Sequence, residues 1–288
     1  MRPSRSTVIP VRGLRCHVRE WGDPTAPRLF LLHGWMDVSA SFQFTVDELQ
    51  QGWFVIAPDW RGFGLSQWTN QGYWFPDFIA DLDAILERYS ADEPARIVGH
   101  SMGGNVANLY AGIRPERVQK VVLAEGFGLP PTKPDQAPGR YGRWLAENRQ
   151  PPVLKTYQSF DEVARRLRKN NPRLSDERAH YLAPHWAEEG ADGTIHLRAD
   201  PHHKVVNPVL YRLEEAMACW RRITAPVLWL WSDSDWMATF MGNEKALLDS
   251  YRACYRSLRE ETIGGASHMM HHDQPAALAR AIEAFMTA

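Results

Sequence analysis

Long apolar segments are missing from this chain of 288 residues. No stretch approaches the roughly 20 apolar residues that a membrane-spanning helix needs. Residues 1–13 contain no apolar run of the length found in signal peptides. From these features we expect no membrane association, and the cytoplasm is the default location.

The sequence also has no excess of positive or negative charge. The 33 basic and 34 acidic residues give a net charge of -1, so nothing in the composition favours binding to nucleic acid or to a membrane surface. Cysteine is scarce, and Cys16, Cys219 and Cys254 are too scattered for a disulfide framework or a metal site. Histidines cluster at residues 202–203 and within residues 268–272, but without the spacing of a known metal motif, so we expect no metal.

A nucleophile elbow is the most informative feature that is present. Residues 99–103 read Gly-His-Ser-Met-Gly, and the short apolar run at residues 95–98 before them is typical of a buried strand. After the motif, apolar side chains recur at helical spacing. A strand, a sharp turn and a helix are the context in which a Gly-x-Ser-x-Gly motif presents a nucleophile. The pattern therefore predicts Ser101 as the nucleophile.

A second turn follows another predicted strand. The apolar run at residues 28–32 ends at His33, Gly34 and Trp35. The backbone N–H of Trp35 could there pair with that of Met102, the first residue after the nucleophile. Two such donors stabilise the oxyanion of a tetrahedral intermediate, and each is worth about 3 kcal/mol. We therefore predict an oxyanion hole formed by Trp35 and Met102.

The general base and the acid are expected near the carboxyl end of the chain. Residues 226–231 predict a strand, and Asp233 and Asp235 follow it. A strand ending near residue 263 leads through a loop of small residues to His268. A neutral imidazole can take the proton of Ser101, and a buried carboxylate is needed to orient that imidazole.

These motifs and their order resemble those of the α/β-hydrolases over nearly the whole chain. Residues 33–35, 59–66 and 99–103 match, as does the loop that ends at His268. Residues 99–107, with Phe-Pro-Asp-Phe at 75–78, are similar in particular to the serine hydrolase-like proteins. The resemblance implies a mostly parallel central sheet of about eight strands, flanked by helices and carrying a helical lid.

The resemblance also bears on the choice of acid. In the family the acid normally follows the strand after the lid, which here indicates Asp235. The family pattern usually has a glycine where Ser232 stands, and this departure leaves Asp233 as an alternative. Some relatives place the acid after the preceding strand, here residues 121–124, which makes Glu125 a second alternative. Asp235 is the predicted triad acid.

Hydrophobic patterns divide the chain into a core domain, residues 1–127 and 224–288, and an inserted helical lid, residues 128–223. Strands are predicted at residues 7–11, 14–21, 28–32, 54–58, 95–98, 118–124, 226–231 and 259–263. Helices are predicted at residues 74–89, 243–251 and 275–286 of the core, and at 160–169 and 175–189 of the lid.

The predicted function is that of a serine hydrolase, monomeric or homodimeric, which cleaves a small carboxylic ester through an acyl-enzyme without a cofactor. A serine at the elbow argues against haloalkane dehalogenases and epoxide hydrolases, which use aspartate there. Thioesterase, lactonase, C–C bond hydrolase and cofactor-free peroxidase activities stay open, as does a non-catalytic ligand receptor. The candidate pocket residues are His33, Gly34, Trp60, His100 and Trp236.

Overall fold

The computed structural model describes residues 1–69, 72–242 and 245–288. Its strands are β1 (Ser4–Val11), β2 (Leu14–Trp21), β3 (Arg28–Leu32), β4 (Phe54–Pro58), β5 (Ala95–His100), β6 (Val118–Ala124), β7 (Ala187–Glu189), β8 (Ile195–Leu197), β9 (Val227–Ser232) and β10 (Leu258–Ile263). Eight of them form one sheet in the order β1-β2-β4-β3-β5-β6-β9-β10. β2 pairs antiparallel with β1 and β4, and the remaining pairs are parallel. The predicted, mostly parallel α/β sheet is confirmed.

The helices are α1 (Gln43–Glu48), α2 (Phe75–Ser90), α3 (Met102–Ile113), α4 (Ala137–Arg149), α5 (Phe160–Asn170), α6 (Asp176–Trp186), α7 (Leu213–Trp220), α8 (Trp236–Phe240), α9 (Lys245–Arg252), α10 (Met270–Asp273) and α11 (Pro275–Thr287). The predicted helix at residues 243–251 begins on two residues that lie outside the described part of the chain. Within the described ranges, no helix is both long and apolar enough to cross a membrane.

Central strands are buried on both faces of the sheet, which explains their continuous apolar sequences. In β3, Phe30 and Leu32 join an apolar cluster on one face, whereas Leu29 and Leu31 join the cluster on the other. Side chains alternate between the faces of a strand, so a strand with apolar residues at every position must be covered on both sides. Helices α2 and α3 contribute to the first cluster and α11 to the second.

Residues 128–223, here called the insert, lie between β6 and β9 and carry α4 to α7. A separate apolar cluster is built around α5 and α6 of the insert, and Phe44 of α1 also belongs to it. Helix α6 is shorter than predicted, because residues 187–189 leave the helix and pair with β8 as β7. The backbone N–H of Arg198 donates to the carbonyl of Trp186 at 2.8 Å, at the point where helix becomes strand.

The insert is fastened to the loop that follows β4. The backbone N–H of Asp200 donates to the carbonyl of Gly62 at 2.9 Å. The ring of His203 lies between Phe63 and Tyr73, with centroid distances of 3.7 and 3.6 Å. The motif at residues 59–66 thus shapes the contact between the sheet and the insert.

Candidate active site

The elbow between β5 and α3 holds Ser101 in an uncommon backbone conformation. Its φ is 52° and its ψ is -116°, outside the regions that most L-residues adopt. Close packing around the turn requires glycine, since a Cβ on Gly99 would overlap the carbonyl oxygen of Gly103 and one on Gly103 would overlap that of Leu32. The sequence therefore supplies glycine where the backbone must approach a neighbour, and the turn projects Ser101 from the end of β5.

A hydrogen-bonded chain connects Ser101 to a buried carboxylate. Nε2 of His268 lies 3.1 Å from Oγ of Ser101, and Nδ1 of His268 lies 2.9 Å from Oε2 of Glu125. A carboxylate oxygen only accepts, so Nδ1 carries the proton and Nε2 of a neutral ring is left to accept from the serine hydroxyl. This is the arrangement in which an imidazole can act as a general base toward a serine.

Glu125 is held from several sides. It directly follows β6, has a φ of 50° and is 2% exposed. Its backbone N–H donates to the carbonyl of Leu230 at 3.1 Å. Its Oε1 accepts hydrogen bonds from the backbone N–H and the hydroxyl of Ser232, at 2.8 and 2.6 Å. Both carboxylate oxygens therefore have partners, and one of them is directed at His268.

The structure corrects the choice of Asp235 as the acid, because the carboxylate that contacts His268 is that of Glu125. Asp235 is exposed, and its carbonyl accepts from the N–H of Thr239 at 2.8 Å as α8 begins. The alternative Asp233 does not contact His268 either; its Oδ2 accepts from the N–H of Gly265 at 2.6 Å. Of these three carboxylates, the one within hydrogen-bond distance of Nδ1 of His268 thus comes from the residue directly after β6.

Trp236 covers one face of the His268 imidazole. Its ring stacks on His268 with a centroid distance of 3.7 Å and an interplanar angle of 28°. The Trp236 side of this pair faces solvent, since the residue is 40% exposed. A stacked indole restricts rotation of the imidazole. The predicted pocket residue Trp236 therefore lies at the site.

The predicted oxyanion turn also lies beside the nucleophile. A Cβ placed on Gly34 would lie 3.2 Å from the Cβ of Ser101, a tight contact, so glycine suits this close approach. Throughout the described part of the chain, the backbone N–H groups of Trp35 and Met102 have no hydrogen-bond acceptor. Both groups are consequently free to donate to a substrate oxygen, and their role in an oxyanion hole stays a prediction.

Two predicted pocket residues lie beneath the turn instead of lining an open pocket. His33 and Trp60 are 0% and 1% exposed. Nδ1 of His33 donates to the carbonyl of Gly34 at 2.7 Å, and its Nε2 accepts from the N–H of Trp60 at 2.9 Å. Burial lowers the pKa of His33, which keeps the ring neutral and able to accept that hydrogen bond. This correction gives both residues a supporting role, since their packing fixes the turn that carries Gly34.

His100 is likewise buried, and its ring centroid lies 4.8 Å from that of His268. Its Nε2 donates to the backbone carbonyl of His268 at 2.7 Å. Burial, together with the nearby His271 and His268, lowers the pKa of His100 well below its usual value. Next to it, Nε2 of His271 lies 3.2 Å from Oδ2 of Asp37. Burial alone would raise the pKa of Asp37, but the hydrogen bond from His271 and the electrostatic effect of the surrounding histidines outweigh it and hold that pKa below its usual value.

Comparison with known proteins agrees with this architecture. The family model described as the alpha/beta hydrolase fold matches residues 27–275. A serine hydrolase-like protein of Danio rerio is 28% identical, covering 92% of this chain and 83% of its own. A serine hydrolase-like protein of Dictyostelium discoideum is 26% identical, covering 95% and 79%.

Solved structures show the same fold at low sequence identity. A thioesterase domain from the curacin biosynthetic pathway superposes with a TM-score of 0.85 at 23% identity, over 98% of this chain and 99% of that domain. E-2-(acetamidomethylene)succinate hydrolase superposes with a TM-score of 0.78 at 22% identity, over 99% and 100%. With the family model matching most of the sequence, the chain belongs to the α/β-hydrolase fold family and is a hydrolase.

Proposed function

We propose that this hydrolase cleaves small carboxylic esters through an acyl-enzyme formed on Ser101, with His268 as general base and Glu125 as the orienting acid. The observation that carries the proposal is the unbroken chain of hydrogen bonds from Ser101 Oγ through both nitrogens of His268 to Glu125, with distances of 3.1 and 2.9 Å. These lengths suit proton transfer between hydroxyl and imidazole.

In the first half of the reaction, Ser101 Oγ attacks the acyl carbon while its proton passes to Nε2 of His268. The imidazolium so formed keeps its Nδ1–H on Glu125, whose buried charge stabilises it. His268 then gives the proton to the leaving alcohol. In the second half, water attacks the acyl-enzyme, His268 takes a proton from that water, and the acid is released as Ser101 regains its proton.

Charge on the tetrahedral intermediate develops on one oxygen. Met102 directly follows Ser101 in the chain, and Trp35 follows Gly34, which packs against the Cβ of Ser101. The backbone N–H groups of Trp35 and Met102 have no other acceptor within the described residues. Donors fixed in this way cost little reorganisation during the reaction. We assign them to the oxyanion hole.

The substrate class follows from the surroundings of Ser101. The turn at residues 33–35 has one bulky residue after its glycine, and Trp35 is 50% exposed. Trp236 provides a second aromatic surface beside His268. Aromatic walls suit an apolar acyl or alcohol group, and the insert is proposed to act as a lid that excludes large lipid aggregates. We therefore propose short-to-medium acyl esters as substrates, rather than long-chain triglyceride emulsions or tertiary-alcohol esters.

The nucleophile is tested with Ser101→Ala. This variant is expected to lose hydrolysis of a short p-nitrophenyl ester and labelling by a fluorophosphonate, because the attacking oxygen is gone. Ser257→Ala is the matched control, since Ser257 is exposed and donates no hydrogen bond from its side chain within the described chain. Labelling of Ser101→Ala at the wild-type rate would refute the assignment.

Bond type is tested separately with a panel of esters, thioesters, lactones and vinylogous diketones offered to the wild-type protein. Ester cleavage that exceeds the other activities supports the proposal. Efficient cleavage of the diketones alone would instead establish C–C bond hydrolysis on the same triad. Binding of the compounds without turnover of any would establish a receptor.

A further inference from the structure

Behind the triad, three buried side chains from distant parts of the chain come together. Asp37 follows the oxyanion turn, His100 precedes the nucleophile, and His271 follows the general base. One ligating atom from each of the three lies within 4.8 Å of the other two. They are 2%, 2% and 0% exposed. The cluster is distinct from the triad, and the proposed reaction does not use it.

Hydrogen bonding within this cluster is incomplete. Nε2 of His100 must be a donor, because the carbonyl of His268 that it contacts can only accept. A neutral His100 then has a lone pair on Nδ1, and this buried atom has no hydrogen-bond partner among the described residues. Nε2 of His271 likewise donates to Asp37, and its buried Nδ1 has no hydrogen-bond partner in the described part of the chain. Two imidazole nitrogens thus lack a group to bind, beside a buried carboxylate.

We propose that Asp37, His100 and His271 form a binding site for one divalent transition-metal cation of the Zn²⁺ type. Two imidazoles and a carboxylate are a donor set that zinc and cobalt accept, with a fourth position left for water. A cation would use the unpartnered lone pairs and offset the charge of Asp37. This inference goes beyond the proposed ester hydrolysis and does not depend on it.

The surroundings of His100 match those of a metal ligand. Ligating histidines commonly donate their other ring N–H to a backbone carbonyl or a carboxylate, which fixes the ring and makes it more basic. His100 donates in this way to the carbonyl of His268 at 2.7 Å, and ligation through Nδ1 leaves that hydrogen bond intact.

The spacing of the donors is close to that required. Tetrahedral zinc with bonds of about 2.0–2.1 Å places its ligand atoms about 3.3 Å apart. One potential ligand atom of each side chain lies within 4.8 Å of the other two, so binding one cation requires the donors to approach by up to about 1.5 Å. No sequence motif indicates this site because its ligands are separated by 63 and 171 positions, from 37 to 100 and from 100 to 271.

A bound cation would connect three loops of the active site. Asp37 belongs to the loop after β3, His100 to the elbow, and His271 to α10 after the general base. Fixing these three segments to one ion stabilises the folded state, because the unfolded chain does not hold the ligands together. The expected role is therefore structural support of the elbow and the histidine loop.

The test begins with protein stripped by a chelator and then dialysed for several hours against tens of micromolar Co²⁺, because a buried site fills slowly. We expect one Co²⁺ per chain after desalting, an absorption spectrum of tetrahedral Co²⁺, and a rise of several degrees in Tm. His271→Gln and His100→Gln are each expected to lose the bound metal and the rise in Tm. Glutamine can still donate at the Nε2 position, so these variants retain the hydrogen bond to Asp37 or to His268.

His202→Asn is the matched control, since His202 belongs to the other histidine group and is partly exposed. It should bind metal like the wild type. Circular dichroism confirms that each variant is folded, and Asp37→Asn provides a further loss-of-ligand variant if either glutamine variant is not. Absence of bound Co²⁺ in the wild type, undiminished binding in His271→Gln, or loss of binding in His202→Asn alone would overturn the proposal.

Discussion

Two loops at the same edge of the sheet carry carboxylates, one after β6 and one after β9. Glu125, after β6, is 2% exposed, and both of its oxygens accept hydrogen bonds. Asp235, after β9, is exposed, and within the described residues its contacts are limited to its backbone carbonyl. A carboxylate can hold an imidazole in one tautomer only if it is itself fixed and shielded from water. Burial and hydrogen bonding of the carboxylate therefore identify the partner of His268 better than the order of the two loops in the chain does.

The loop after β9 nevertheless contacts the candidate site, through side chains other than that of Asp235. Ser232 donates two hydrogen bonds to Glu125, Asp233 accepts from Gly265 in the loop that leads to His268, and Trp236 stacks on the imidazole. The proposed acid, Glu125, comes from the loop after β6, and hydrogen bonds from the loop after β9 support it. Substitutions in the two loops should therefore differ in how strongly they lower activity and in the physical reason for the loss.

Glu125→Gln is expected to have the largest effect. Loss of the orienting carboxylate in a triad lowers kcat by on the order of 10³–10⁴-fold, because the tautomer and the imidazolium are no longer stabilised. The variant should fold, since glutamine can accept from Ser232 with its amide oxygen. Hydrolysis of a short p-nitrophenyl ester measures the loss. Retention of more than a tenth of the activity would remove Glu125 from the triad.

The contrast between buried and exposed groups also applies to stability in acid. Burial lowers the pKa of His203 to about 3, although its hydrogen bond to Arg61 opposes the shift. Below about pH 6.5 the unfolded chain binds a proton on this histidine and the folded chain does not, so stability is full above that pH and falls as the pH decreases toward 3. This group should remove on the order of 2–3 kcal/mol from the free energy of unfolding between pH 7 and pH 4.

The measurement is urea unfolding of the wild type, His203→Asn and His202→Asn at several pH values. His203→Asn should lose less stability than the wild type as the pH falls. His202→Asn, which changes a partly exposed histidine, should follow the wild type. Equal slopes for all three proteins would show that burial of His203 does not control its protonation.

Ser232→Ala is expected to have an intermediate effect on catalysis. It removes the hydroxyl that donates to Glu125 at 2.6 Å but keeps the backbone donor at 2.8 Å. A lost hydrogen bond to a charged group is worth about 1.5 kcal/mol, which corresponds to roughly a tenfold lower kcat. Ser232→Thr, which keeps the hydroxyl, should restore most of the activity. An alanine variant as active as the wild type would mean that the backbone donor alone positions Glu125.

Asp235→Asn is expected to have the smallest effect, within about twofold of wild-type kcat/KM, as is usual for an exposed surface change. The side chain remains similar in shape and the carbonyl that accepts from Thr239 is unchanged. The same ester assay measures it. A loss comparable with that of Glu125→Gln would reverse the comparison between the loops.

Most of the fold could be predicted from the sequence because its signals are local, and the same holds for Ser101 and His268, whose Oγ and Nε2 lie 3.1 Å apart. The elbow at Ser101 and the loop before His268 are short motifs that follow apolar strands. The strands of the sheet could be predicted from continuous apolar runs in the sequence. The acid could not be settled locally, since a positive φ at Glu125 and its contact with Ser232 arise only when β6 and β9 pair. The signal present was the serine at position 232, where the family usually has glycine.

Long-range packing also explains why His33 and Trp60 are buried in the structure, although the sequence predicts that they line a pocket. Both lie next to the site in the chain, but their burial depends on how the turn packs against the sheet and the insert. The short β7–β8 pair escaped prediction for a related reason, because residues 187–189 continue a helical pattern and become a strand only through pairing with β8. Periodicity describes one segment and not its partner.

The Nδ1–H proton of His268 provides the most direct test of the central claim, that Glu125 and not Asp235 holds the general base. In ¹⁵N-labelled protein, a proton held between an imidazole nitrogen and a buried carboxylate is protected from exchange and resonates far downfield. The account predicts this resonance in the wild type and in Asp235→Asn, and its loss or a large upfield shift in Glu125→Gln. Loss in Asp235→Asn with an unchanged resonance in Glu125→Gln would contradict it.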